Sequence, residues 1–152
     1  MVYPDSNLPS LAVQAALWSK LNADSTLSGL VTGVFDAVPD NQAYPYVQLG
    51  IVNERPYLTL SRPGAIMLHD IRIFGGGGEG AGGTLGNKQV LEIANRVNQL
   101  LGNRTDLVVT GWDVVATWYN GFQILTDPDE ANRKLRSGVA QYRTIVQQTV
   151  TP

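Results

Sequence analysis

The sequence contains no cysteine, a single histidine and little charge, and each scarcity excludes something. Without cysteine there can be no disulfide, no thiolate metal ligand and no thiol nucleophile, and a thiol-free chain fits a reducing compartment. One histidine, His69, rules out a multi-histidine metal site and leaves at most one imidazole for proton transfer. Charged residues make up 16% of the chain, 11 basic against 13 acidic, so the basic face that grips a nucleic-acid backbone is not expected. No run reaches the roughly 18 apolar residues of a membrane span. The start, Met1-Val2-Tyr3-Pro4-Asp5-Ser6, lacks the basic stretch and apolar core of a secretory signal, so a soluble product made in the cytoplasm is expected.

What is present is enough apolar material for a core. At 152 residues and 43% hydrophobic, residues 1–152 read as one domain, with 1–7 as a flexible arm. Leu11, Ala15, Trp18 and Leu21 recur at helical spacing, with Leu8 one turn earlier and Ser6 or Asn7 as N-cap. Gly29 and Gly33 then break the chain before a short strand, Val34 to Val38, stopped by Pro39. Val47, Leu49 and Ile51 form one apolar row of a strand from Tyr46 to Val52. From Asn53 to Ala65, Pro56 and Pro63 flank Tyr57-Leu58-Thr59-Leu60, which predicts a projecting excursion whose ends pair. Ile66 to Phe74 resumes the alternation, with Met67, His69, Ile71 and Ile73 on one face and Asp70 and Arg72 on the other. Gly75 to Gly83 is glycine except at Glu79 and Ala81, which predicts a flexible loop.

The cleanest helical stripe is Val90, Ile93, Ala94, Val97, Leu100 and Leu101, closed by Gly102. Strands are predicted over Leu107 to Thr110, Trp112 to Tyr119, Phe122 to Thr126 after an Asn120-Gly121 turn, and Val139 to Val150. The order of helix, strands, helix, strands predicts an α+β domain: an antiparallel sheet with two helices on one face and a projecting hairpin-like loop.

Catalytic patterns are missing. Gly78-Glu79-Gly80-Ala81-Gly82-Gly83 satisfies the dinucleotide pattern and stands between a predicted strand and a helix, so a small nucleotide-binding module using Gly78, Gly80 and Gly83 is one alternative. A stretch this rich in glycine meets that pattern almost inevitably, however, and no further helix and strand units follow to complete a doubly wound sheet. His69, in a row with Met67, Ile71 and Ile73, reads as a core or interface residue. Asp127, Asp129 and Glu130 lack the spacing of a calcium loop, and Pro128 makes a turn the simpler role. No serine lies in a nucleophile-elbow pattern. No cofactor, metal or membrane partner is expected. The aromatic residues Tyr44, Tyr46, Tyr57, Trp112, Trp118, Tyr119 and Tyr142, on strands or the excursion, suit a core and a protein interface. Arg133, Lys134 and Arg136 form a basic cluster on a solvated or partner-facing connection.

The helix with Ala16-Leu17 and Leu21, the segment Val34-Phe35-Asp36 running to Val38-Pro39, and the cluster Tyr44-Pro45-Tyr46-Val47 together resemble the tail-completion, or tail-terminator, family of long-tailed bacteriophages and gene transfer agents. The resemblance extends through Ala94, Val97, Leu100 and Leu101 of the second helix, through Gln123-Ile124-Leu125-Thr126-Asp127-Pro128-Asp129, and through Gly138 to Arg143. The glycine stretch departs from the polar connection usual in that family. The resemblance implies a virion protein without catalytic residues, made in the host cytoplasm, that forms a ring of six subunits on the tail tube. Such a ring stops tube polymerisation, docks a head-tail connector or stopper protein, and meets DNA only as it passes through the channel. By the same analogy the excursion points to the channel or to a neighbouring ring, with Arg55, Tyr57 and Arg62 as contact residues. Arg133, Lys134 and Arg136 are further interface candidates. A head-completion protein at the portal is a second alternative within the same architecture.

Overall fold

The computed structural model describes residues 8–58, 62–75, 87–126 and 136–149. Helix α1, Pro9–Asn22, opens with Pro at its first turn, where the missing N–H costs nothing. Its N-cap, Leu8, has no capping side chain, and Glu54 serves instead by accepting from Ser10 N–H (3.0 Å) and Ser10 Oγ (2.7 Å). A single turn, α2 at Ser25–Ser28, follows, because Asp24 accepts from Leu27 N–H at 2.8 Å and so caps it. The strands are β1 Val34–Phe35, β2 Tyr46–Leu58, β3 Pro63–Phe74, β4 Trp112–Thr126 and β5 Arg136–Gln148, and α3 spans Asn87–Leu101 between β3 and β4.

The five strands form one sheet in the order β1-β2-β3-β5-β4. Cross-strand partners share a face. The row Leu49, Ile71, Ala140 and the row Ile51, His69, Tyr142 therefore point the same way, toward the helices. Val90, Ile93, Val97 and Leu101 of α3 join Val13, Leu17 and Leu21 of α1 over these rows in one core. Gly138 lets the roof come close: a Cβ there would lie 2.8 Å from side-chain atoms of both Val90 and Phe122.

The α+β class agrees with the sequence, and several details differ. Strand β1 runs parallel to β2, so the sheet is mixed; every other pairing is antiparallel. A third helix, α2, stands just before Gly29, where the sequence reading placed no element, because the Asp24 cap supports a single turn there. The stripe read on α1 divides: Leu21 is buried, but Leu11 and Trp18 are exposed, and Val13, Ala16 and Leu17 take the core. Apolar residues surround this helix, so periodicity gave no direction. Ser6 and Asn7, the expected caps, lie outside the described residues.

The ends of the excursion at Asn53 to Ala65 pair as expected, and they do so by continuing the sheet; residues 59–61 lie outside the described residues. Strand β2 pairs with β3 as far as Leu58 and Pro63, and β3 still pairs with β5 at Gly64 and Gln147. Leu107 to Thr110 forms no strand: Leu107 and Val109 are buried in the core and only a Val109–Trp112 bridge is made. Asn120-Gly121 is a bulge within continuous β4, with Gly121 at φ 138°, since both halves of β4 pair with β5. At the end of α3 the left-handed residue is Asn103 (φ 52°), not Gly102. Residues 76–86, which hold most of the glycine stretch, and 127–135 lie outside the described residues.

Candidate functional site

The sites of this protein are surfaces, and a bulge in β2 builds the first of them. Before the bulge, odd residues of β2 face the helices; between Ile51 and Asn53 the register shifts by one. Glu54 and Pro56 then oppose buried Met67 and Ala65, and Arg55 and Tyr57 oppose Ile66 and Gly64 on the open face of the sheet. One inserted residue thus turns Arg55 and Tyr57 away from the core. Both are exposed.

Arg62 stands beside them at the same end of the sheet. Its guanidinium donates to Asp113 Oδ2 at 2.7 Å and to Gln147 Oε1 at 3.0 Å, fastening the start of β3 to β4 and β5. Arg136 lies at the other end, where it pairs with Thr126 and its carbonyl accepts from Gly75 N–H at 2.7 Å. Strand β3 has 12 residues, which at ~3.3 Å each separates these ends by roughly 36 Å. The sequence candidates therefore divide into two groups, Arg55, Tyr57 and Arg62 at one end and Arg136 at the other. Arg133 and Lys134 lie outside the described residues, as do Gly78, Gly80 and Gly83 of the nucleotide alternative and the acidic trio Asp127, Asp129 and Glu130.

The Arg136 end also carries an aromatic cluster the sequence did not group. Tyr46 stacks on Tyr44 (centroids 5.5 Å) and on Phe74 (4.8 Å), with Phe35 edge-on at 6.1 Å. Tyr44 remains 45% exposed, which offers a ring to a partner. On the open face, Gln48, Gly50, Val52, Asp70 and Arg72 line a shallow depression of about 290 Å³. Gly50 leaves open space above it, and Asp70 Oδ1 has no protein donor among the described residues.

The helix side holds the polar core. His69 is fully buried, with Nε2 2.7 Å from Thr144 Oγ1, its ring stacked at 6.0 Å on Tyr142. Burial pushes its pKa down from 6.5 to about 4, so the imidazole is neutral at pH 7 and shut off from solvent. It is a core residue. Tyr142 is likewise buried; its hydroxyl donates to Asn98 Oδ1 at 3.2 Å, and burial raises its pKa. Asp24 joins α2 to α3 by accepting two bonds from Arg96 (2.8 and 2.6 Å); that guanidinium holds the carboxyl down at about 2. Among the described residues no three His, Asp or Glu side chains are grouped to hold a metal, and no helix is long and apolar enough to cross a membrane.

Two further surfaces carry exposed apolar residues. Leu8 at the N-cap of α1 and Leu11 and Trp18 on one face of the helix are 67%, 80% and 43% exposed. Between α3 and β4, Leu91, Ala94, Phe122 and Tyr119, together with Asn95 and Asn98, line a groove of about 210 Å³. Periodicity found the residues of the first surface as a helical stripe; the second needed the tertiary fold.

A small mixed sheet roofed on one face carries its distinctive chemistry on edges and surfaces, the form of an assembly subunit that the family match establishes. The comparisons name the assembly. The profile of the tail completion protein gp17 family matches residues 15–147, and the chain belongs to that family. It is a structural virion protein with a tail-completion role in a phage, and not an enzyme. A chain in the structure titled "Virion of native gene transfer agent (GTA) particle" is similar throughout: TM-score 0.76 and 26% identity over 93% of this chain and 99% of that one. No curated protein matches the sequence.

Proposed function

We propose that copies of this protein close into a ring of six on the end of the tail tube, stop its growth and present the opposite face to a head-tail connector or stopper protein, with DNA passing through the channel. The observation that carries this reading is the pair of unfinished sheet edges. Strand β1 covers β2 only at Val47 and Gln48, and beyond them no strand among the described residues pairs with that edge of β2. Strand β4 closes the other edge, where among the described residues it meets only two isolated bridges, Arg104 with Thr117 and Val109 with Trp112. Exposed edges invite pairing with other chains, and a head-to-tail contact closes into a ring when its rotation permits.

The two strand ends supply different chemistry for two partners. Arg55, Tyr57 and Arg62 stand at one end; Arg136 and Tyr44 mark the other. A cap needs this asymmetry, because the face that seats on the tube must not offer the site for another tube ring. The test is growth of purified tail tubes with and without the protein. Arrest of elongation, with added density at one tube end in negative-stain images, is the expected result. Tubes of unchanged length without end density, or co-purification with filled heads and not tails, would overturn it, the latter in favour of a portal-bound head-completion protein.

A further inference from the structure

The exposed α1 stripe and the α3–β4 groove lie over opposite edges of the sheet. Helix α1 packs on β1 and β2, whereas the α3 groove borders β4, four strands away in the order β1-β2-β3-β5-β4. One surface is convex: Leu11 and Trp18 project from a helix whose other side is already in the core, with Leu8 exposed at its N-cap. The other is concave and of mixed polarity, floored by Phe122, Ala140 and Tyr142, flanked by Leu91 (47% exposed) and Tyr119 (45%), and lined as well by the amides of Asn95 and Asn98.

Trp18 is set for a contact. Its indole N–H donates to Val34 O at 3.0 Å, which fixes the ring while leaving it on the surface. A polar handle already satisfied within the monomer means that the ring can be covered without stranding a donor, and a fixed ring loses little entropy on binding. Tryptophan anchors of this kind are enriched among residues that dominate binding energy.

We propose that the Leu8, Leu11 and Trp18 stripe of one copy seats in the α3–β4 groove of the next, forming the repeating head-to-tail joint of the ring. This rests on the ring reading above. Area selects a second copy as the occupant. The exposed parts of the three side chains amount to roughly 400 Å², about half of the ~800 Å² per partner in a standard stable interface. A lone dimer held by this joint is therefore weak. In a closed ring every copy uses both surfaces and closure makes the last contact intramolecular, so the same joint suffices without adding area. Stripe against stripe would stop at two copies and leave the groove uncovered.

The absence of native cysteine permits a clean test by cross-linking full-length chains carrying Leu11→Cys or Leu91→Cys. Mixed under oxidising conditions, the two variants should give the Leu11→Cys to Leu91→Cys heterodimer as the main product. The double variant should give a ladder of covalent oligomers. Leu11→Glu should weaken self-association about tenfold or more, with thermal unfolding of the dilute monomer unchanged. Predominant Leu11→Cys homodimers, or rings seen in negative stain without the mixed cross-link, would overturn this joint and leave the ring standing. Wild-type protein that forms no ring at high concentration or on tubes would remove the ring and this joint with it.

Discussion

Helices α1 and α3 do the same architectural work with opposite compositions. Both roof one face of the sheet, and they are 14 and 15 residues long. Outside its buried stripe, α3 is mostly polar: Lys88, Gln89, Glu92, Asn95 and Gln99, with Leu91 the exception beside the groove. Helix α1 buries Val13, Ala16, Leu17 and Leu21, yet presents Leu11 and Trp18 to solvent. A roof needs one apolar face, so the second one on α1 answers a demand from outside the monomer.

The comparison breaks first if α3 does not behave as core. Ile93 is 1% exposed, and Ile93→Ala should cost about 4 kcal/mol in urea unfolding, since the removed atoms leave a cavity that the sheet beneath cannot fill. A loss below about 1 kcal/mol would show that the roof is loose and that burial under α3 carries little.

Next in size is the histidine beneath the roof. Above pH 6.5 His69 is neutral folded and unfolded, and contributes no pH dependence. As pH falls from 6.5 to about 4 the unfolded chain takes up a proton that the folded chain refuses, so stability falls through that window, by on the order of 3 kcal/mol in all. Asp24, held down at about 2 against an ordinary 3.8, acts in a separate window below pH 4. Denaturant titrations at several pH values should show the slope for wild type and lose it in His69→Gln. A slope that persists in the variant assigns it to another group.

How far the sequence was legible follows the same divide. The α3 stripe could be read directly because polar residues bounded it on both sides, and the β3 alternation because Asp70 and Arg72 marked its other face. Helix α1 misled because an apolar residue meant for a partner carries the same signal as one meant for the core. The parallel pairing of β1 and the extension of β2 and β3 depend on contacts distant in sequence, and Asn120-Gly121 became a bulge only because β5 offered one continuous partner. Of the surface candidates, the alternation could not foresee that a bulge would reverse the facing of Arg55 and Tyr57. Nor could it foresee that Arg62 would meet Asp113, 51 residues away.

Smaller effects sharpen the contrast at the seam between helices. Asp24 both caps α2 through Leu27 N–H and receives the Arg96 guanidinium from α3. Asp24→Ala should cost about 1–2 kcal/mol, the sum of a lost cap and a partly exposed ion pair. Asp24→Asn, which keeps an acceptor for the cap, should recover about half of that. Equal losses in the two variants would place the whole effect on the ion pair.

The smallest expected effect is the most informative. At 80% exposure Leu11 has almost nothing to lose on truncation, so Leu11→Ser should shift folding stability by less than about 0.5 kcal/mol. A serine in mid-helix costs a few tenths of a kcal/mol in propensity, and the unfolded chain exposes the leucine as fully as the folded one, so no transfer term enters. Measured beside Ile93→Ala in the same urea series, the near-zero value separates the two faces of the roof. At concentrations where the protein is monomeric, a loss above about 1 kcal/mol would mean that Leu11 is covered within the monomer in solution. The outward face of α1 would then belong to the core after all.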